Sequence, residues 1–311
     1  MATIEFSEEQ TMLMETAVDF CRKHSPLDRV RAQIEQPQGV DPAVWQEMVD
    51  LGWLGITVPE QYGGLGLSLA DTVPIAESMG RHLMGSPFVA TTLATQALIH
   101  CANEQQREQW LPQIVAGRAA SVALTEEDGN WHLTEIGSHA QVQGEQLLLT
   151  AKKCFVLDAP EAEVIVLSAN VDGEARLIAL NKAQLPEAAL TRETVIDETR
   201  RSYTLSVENL TLPADQLLQG TDFASIEQAA LLLLTAEMSG GLSGVLHVII
   251  DYLTTRKQFD QYIGSYQSLK HPTVQILLSM EACRSHLYRA ATCIAQGNSE
   301  EIEDAVRIAK A

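Results

Sequence analysis

The chain has 311 residues, 46% of them hydrophobic, which is enough for a buried core and, by length, for about two domains. It carries 21 basic against 41 acidic residues, a formal net charge of -20, with no local basic patch, and this balance argues against nucleic acid as a partner. The five cysteines (Cys21, Cys101, Cys154, Cys283, Cys293) are an odd number and widely spaced, without a Cys-x-x-Cys pair or clustered histidines. That argues against a disulfide framework or a zinc site and fits a reducing compartment. The N-terminus, MATIEFSEEQ, has acids where a signal peptide has bases, so the expected location is the cytoplasm.

Helical patterns fill the first third. FSEEQTMLMETAVDFCRKH opens with Ser7 and Gln10 in capping-box spacing. Asp41-Pro42 starts AVWQEMVDL, which stops at Gly52. The loop TVPEQYGGLGLS leads to ADTVPIAESMGRHL, and Asn103 caps EQQREQWLPQIVAG, ending at Gly117. From about Ala120 the period changes: SVALTE, HAQVQGEQLLLTAKKCFVL, EVIVLSAN, ARLIAL and YTLSVENLTL are short, rich in Val, Leu and Ile, and divided by turn residues. They read as antiparallel strands of a β domain. Helices return from about Asp222 to Arg256, from about Ser265 to Gln296, and from Ser299, where the pattern stops without a cap. The apolar stretch Ala229 to Ile250 is about long enough to cross a bilayer. Glu237, His247 and a Ser-Gly-Gly-Leu-Ser-Gly run favour a buried bundle helix instead, with no membrane span.

Several stretches resemble one family. LGWLGITVPEQYGGLGLSLADTVPIAESMGRHL, QREQWLPQIVAGRAASVALTE, DETRRSYTLSVENLTLPADQLL and TRKQFDQYIGSYQSLKHPTVQILLSMEACR are similar, in order and spacing, to the acyl-CoA dehydrogenases. The Arg-x-Gln-Phe…Ile-x-x-Tyr-Gln piece is the most specific element. The resemblance implies an α+β multidomain chain: an N-terminal helical domain over residues 1–118, a middle antiparallel β-barrel over 119–218 and a C-terminal helical bundle, incomplete, over 219–311. It also implies FAD between barrel and bundle, α,β-dehydrogenation of an acyl-CoA thioester, and assembly as a homo- or hetero-tetramer built from dimers. An electron-transferring flavoprotein is the electron acceptor the family implies.

Residues carried over to the flavin are Arg256, Gln258, Phe259, Ile263, Tyr266 and Gln267, with Arg256 reaching the pyrophosphate of the neighbouring subunit's FAD. A guanidinium suits pyrophosphate oxygens and aromatic faces suit a nucleotide. The residue type alone also fits a plainer role for Arg256, complementing the negative end of its helix. In the middle domain Thr125 matches a residue that contacts the flavin ring, and Phe155, Val156 and Leu157 take the places of a family Trp-Ile-Thr.

Departures from the family pattern are equally specific. Glu127-Asp128-Gly129-Asn130-Trp131 stands where many members have Pro-Gly-Ala-Gly-Ser-Asp. Leu157 replaces a threonine hydroxyl and cannot donate a hydrogen bond. Gln228 and Leu231 stand where an acid and an arginine often hold the CoA arm. The reaction needs a carboxylate to take the α-proton. A minority of members place it on the long helix, where this chain has Ala230; Glu227 and Glu237 do not match that position. The expected catalytic Glu therefore lies beyond residue 311, in a chain cut before its end. Two alternatives stand beside this reading: a non-catalytic or partner subunit of a heteromeric dehydrogenase, and an acyl-CoA oxidase. No Gly-x-Gly-x-x-Gly turn or nucleophile elbow points to another chemistry.

Overall fold

The structure is a computed structural model that describes residues 8–36, 39–297 and 299–311. In chain order the helices are α1 (Glu8–His24), α2 (Leu27–Ile34), α3 (Pro42–Asp50), α4 (Val73–Arg81), α5 (Phe88–Cys101) and α6 (Glu104–Val115). Seven strands follow: β1 (Ala120–Ala123), β2 (His139–Gln143), β3 (Gln146–Leu157), β4 (Val164–Val171), β5 (Glu174–Asn181), β6 (Leu190–Arg192) and β7 (Ser202–Pro213). Then come α7 (Phe223–Thr255), the two-residue strands β8 (Lys257–Gln258) and β9 (Gln261–Tyr262), α8 (Gln267–Gln296) and α9 (Ser299–Lys310). The order is the expected one, helices, sheet, helices. The chain separates into two compact units, one of Met1–Val30, Ser68–Met84 and Ala230–Ala311, the other of Arg31–Leu67 and Gly85–Ala229.

Helix ends follow local chemistry. Asp41 caps α3 by accepting from the Ala43 N–H, and Pro42 occupies the first helical position. Asn103 and Gln106 form a reciprocal capping box at the start of α6. The Ser7–Gln10 box lies outside the described residues. Two helices leave no clear signal in the sequence. FVATTLATQALIHC in α5 is buried on nearly every side and so shows no amphipathic period, while α2 is only eight residues long.

In the second unit the strands form one seven-stranded sheet in the order β1-β4-β2-β3-β7-β6, with β5 on the other side of β4. The pairs β2–β3, β3–β7, β4–β5 and β6–β7 are antiparallel, as expected of short Val- and Leu-rich runs divided by turn residues. The pairs β1–β4 and β2–β4 are parallel, which corrects the all-antiparallel reading. Strand β1 enters from the helices rather than from a hairpin, so its direction is not tied to that of β4. The sheet's core comprises Leu147, Leu149, Val156, Leu167, Ile178 and Leu205 with their neighbours. The Thr91 hydroxyl on α5 donates to the Ala120 carbonyl and accepts the Ala120 N–H, which docks this helix on β1.

In the first unit α4 and α7 touch backbone to backbone. A Cβ on Gly240 would overlap the Glu77 carbonyl, and one on Gly80 the Glu237 carbonyl. At this crossing the Glu77 carboxylate accepts from Arg284 Nε at 2.9 Å, the Tyr288 hydroxyl at 2.7 Å and the Ser239 hydroxyl at 3.1 Å. One half-buried acid thus ties α4, α7 and α8 together. Helix α7 is long and apolar enough to cross a membrane, and half of its most apolar window is buried inside the protein. Its remaining apolar side chains are uncovered, Met238, Val245 and Val248 among them, as are Val274 and Leu278 on α8.

Replacing Gly240 with alanine forces the two helices apart, an overpacking cost of about 3 kcal/mol. Glu77→Ala leaves Arg284 and Tyr288 without their shared acceptor at a cost of about 2–3 kcal/mol. Urea unfolding monitored by circular dichroism is expected to show both losses, with Glu77→Gln milder than Glu77→Ala.

Candidate functional site

The residues expected at a flavin fall into two sets, each assembled within one unit. Thr125, Phe155, Val156 and Leu157 belong to the sheet unit. Thr125 continues β1 and bridges to Cys154 on β3, where its carbonyl accepts the Cys154 N–H at 2.9 Å. The register of β3 against β7 slips between Lys153 and Val156, producing a bulge. Phe155 sits on that bulge with φ of 55°, and its side chain is half exposed. Val156 is fully buried in the sheet core, so only its backbone is available to a ligand. The Leu157 carbonyl accepts the Ser121 hydroxyl.

A buried ion pair holds these segments together. Lys153, with a fully buried side chain, places Nζ 2.5 Å from Glu126 Oε1 and 2.9 Å from the Ser168 hydroxyl. The same Glu126 oxygen accepts the Ser138 N–H at 3.1 Å. Burial works against the Glu126 charge, but the hydrogen bonds from Lys153 and Ser138 outweigh it and hold the carboxyl below its ordinary value. For Lys153 burial is the larger influence and pulls the ammonium below its ordinary value despite Glu126. The two residues fasten the end of β1 to β3 at the place where Thr125 and Phe155 lie. Nothing in the sequence marks this pair beyond a lysine on an inward-facing strand position, since adjacent Lys152 reads the same; Lys152 instead pairs with Glu127 on the surface.

Beyond Glu126 the glycine loop of the family is replaced by a turn held through side chains. Asp128 accepts the Asn130 N–H, Asn130 accepts the His132 N–H and donates to Glu135, and Gly129 takes φ of 74°. Trp131 projects from it, 70% exposed.

The second set occupies the junction after α7. Lys257 pairs with Tyr262 and Gln258 with Gln261, which leaves Phe259-Asp260 as a two-residue turn with φ of 54° and 63°. Positive φ at both central positions is the type I′ signature, usually filled by Asn-Gly. A phenylalanine there is strained, and its side chain is 88% exposed. The hairpin is pinned by Ile263 N–H to the Arg256 carbonyl at 2.9 Å and by the Tyr266 hydroxyl to the Gln258 carbonyl at 3.1 Å. Gly264 passes so close to Leu253 that a Cβ would lie 2.8 Å from its carbonyl oxygen. Arg256 is exposed, and among the described residues its guanidinium has no ion-pair partner. Gln267 opens α8 and is exposed. Strands β8 and β9 leave no signal in the sequence, because two-residue strands carry no period.

On α7, Glu237 is buried and Glu227 partly buried, while Ala230, at the position where some members carry the base, has no carboxylate. A cavity of about 330 Å³ lined by Trp45, Pro42, Pro87 and Glu161, among others, contains none of the expected residues. Among the described residues no cluster of His, Cys, Asp or Glu has the arrangement of a metal site.

Comparison with known proteins defines the family of the chain. The N-terminal domain model of the acyl-CoA dehydrogenases matches residues 7–118 and their C-terminal domain model matches residues 230–311, together more than half of the chain. The chain belongs to the acyl-CoA dehydrogenase family, a family of oxidoreductases. It is 26% identical to the mitochondrial isovaleryl-CoA dehydrogenase of Bos taurus, over 94% of this chain and 72% of the relative. The fold is that of the ChsE4-ChsE5 complex from Mycobacterium tuberculosis, at TM-score 0.89, 23% identity and coverage of 99% of this chain and 83% of that one. It is also that of the FAD complex of PigA, at TM-score 0.85, 22% identity and coverage of 99% and 84%.

Glu126→Ala leaves a buried ammonium without its counter-ion and is expected to cost about 3 kcal/mol, whereas the double change Glu126→Leu with Lys153→Met costs less than the single one. Because the folded-state Glu126 carboxyl is held low, its contribution is present above the unfolded value and is lost as pH falls below about 4. Unfolding free energies measured down the acid limb should therefore fall more steeply for the wild type than for Glu126→Gln.

Proposed function

We propose that the chain is an FAD-dependent enzyme that removes hydrogen from the α and β carbons of an acyl-CoA thioester. The observation that carries this reading is shared by Phe155 and Phe259. Both were expected at the flavin, both hold a positive φ that an L side chain adopts at a cost, and both expose their rings. Ordinary core aromatics do neither.

The residues fit a dinucleotide in type. Exposed phenyl rings offer faces to a planar group, and the exposed Arg256 guanidinium offers a fork to a pyrophosphate. FAD, when bound, supplies the acceptor for the hydride. Thr125, Phe155, Leu157 and the Val156 backbone are assigned to its ring. Arg256, Gln258, Phe259, Ile263, Tyr266 and Gln267 are assigned to the dinucleotide of a neighbouring subunit. Leu157 brings no donor to the ring, and the Cys154 and Phe155 N–H groups are already engaged, so tuning of the flavin falls to the Thr125 hydroxyl, packing and fixed charges. No described carboxylate is assigned as the base for the α-proton.

The domains are assigned as 1–118, 119–218 and 219–311, and the protein to the cytoplasm, in keeping with five free cysteines. An assembly of two or four chains accounts for the uncovered apolar side chains of α7 and α8. A second reading is a partner subunit whose Arg256 serves another chain's flavin. Ala230 in the position of a base and the likeness to a two-protein complex favour it. An electron-transferring flavoprotein is the proposed acceptor in the first reading.

The test is anaerobic addition of acyl-CoA thioesters to the purified protein while its visible absorption is recorded. Bleaching of a bound flavin is the expected result for the dehydrogenase. Flavin that stays oxidised, or is retained only with a second chain, transfers the proposal to the partner-subunit reading. Hydrogen peroxide formed in air without an added acceptor identifies an oxidase.

A further inference from the structure

We infer that Glu193 is a positioning residue that fixes Phe155 for the flavin ring, an inference that rests on the flavin reading above. The bulge in β3 creates the need for it. Lys153 lies opposite Leu205 and Val156 opposite Tyr203, so Cys154 and Phe155 together face Thr204 alone. The Cys154 N–H is taken by the Thr125 carbonyl. The Phe155 N–H has no ladder carbonyl, because the extra residue of a bulge is left unpaired.

Glu193 supplies the missing acceptor. Its Oε2 and Oε1 lie 3.2 and 3.3 Å from the Phe155 nitrogen. The same carboxylate accepts the Ser202 hydroxyl at 2.6 Å and the Thr204 hydroxyl at 2.8 Å, two donors on one face of β7. The backbone of Glu193 is itself fixed, donating its N–H to the Ser202 carbonyl at 2.9 Å just past the end of β6.

Three donors converging on one side chain call for an acceptor at every lone pair, which a carboxylate offers and an amide only half offers. Phe155 remains in the left-handed region because its freed N–H has this charged partner. Releasing it lets the bulge relax toward ordinary φ, which turns the phenyl ring away from its present exposed setting. Glu193 touches no reacting atom in this account; it acts through Phe155.

The test compares wild type, Glu193→Ala and Glu193→Gln by amide hydrogen exchange at Phe155, by FAD dissociation constant and by the absorption envelope of bound flavin. Glu193→Ala is expected to exchange the Phe155 amide about tenfold faster, to weaken FAD about tenfold and to shift the flavin spectrum, with Glu193→Gln between it and wild type. Unchanged exchange at Phe155 in Glu193→Ala overturns the clasp. Faster exchange with unaltered flavin affinity and spectrum overturns the positioning role while leaving the flavin reading intact. A wild-type protein that takes up no FAD, alone or with a second chain, overturns the flavin reading and the role with it. Should the alanine variant fail to fold, the glutamine variant carries the same comparison, since it keeps one acceptor oxygen.

Discussion

A lysine ammonium inside a β-sheet is stable only when its charge is answered on the spot, and in this protein Lys153 is answered by Glu126 and Ser168. Burying that group costs more than a hydrophobic side chain of the same size, so its consequence is geometric rather than energetic. Glu126 has to lie within reach of Lys153, and that requirement places the end of β1 beside β3. Thr125, one residue before the acid, and Phe155, two residues after the base, are located by the same contact. The ladder alone would not achieve this, because β1 pairs with β4 and meets β3 through the bridge at Thr125 and Cys154 and the Ser121 hydroxyl on the Leu157 carbonyl.

The sheet unit and the helical unit solve related problems differently. In the sheet, the positions proposed for the flavin ring are held by charge and by a bulge. In the helices, Gly80 and Gly240 remove side chains so that two backbones meet, and Glu77 then gathers donors from the adjoining elements. Both solutions leave aromatic rings outside. Phe155 and Phe259 are exposed on backbone that resists them, and strain persists only where surrounding contacts over-determine it. Around Phe155 those contacts are Thr125 and Glu193; around Phe259 they are the Ile263 and Tyr266 hydrogen bonds.

Much of this was legible in the sequence because it rests on local signals. Asp41-Pro42, the Asn103 capping box and the alternating Val and Leu runs each state their structure within a few residues. The family resemblance added the order of the domains and the residues around Arg256. The parallel pairing of β1 with β4 was not legible, since strand direction depends on a connection through the helices. Nor was α5, whose burial on nearly all sides erases periodicity. Glu193 gave no signal at all: an acid in a loop-like stretch looks solvated until the bulge on β3 brings it an unpaired N–H. Val156 illustrates the reverse limit. The resemblance assigns it to the stretch proposed to face the flavin, yet strand alternation turns its side chain into the core.

The most direct measurement is an experimental structure of the protein prepared with FAD. The account predicts the flavin ring against Thr125 and the exposed face of Phe155, with the pyrophosphate at Arg256 of a neighbouring subunit. A flavin bound elsewhere, with Phe155 and Phe259 both free of it, would contradict the claim that these two strained aromatics exist to hold a cofactor.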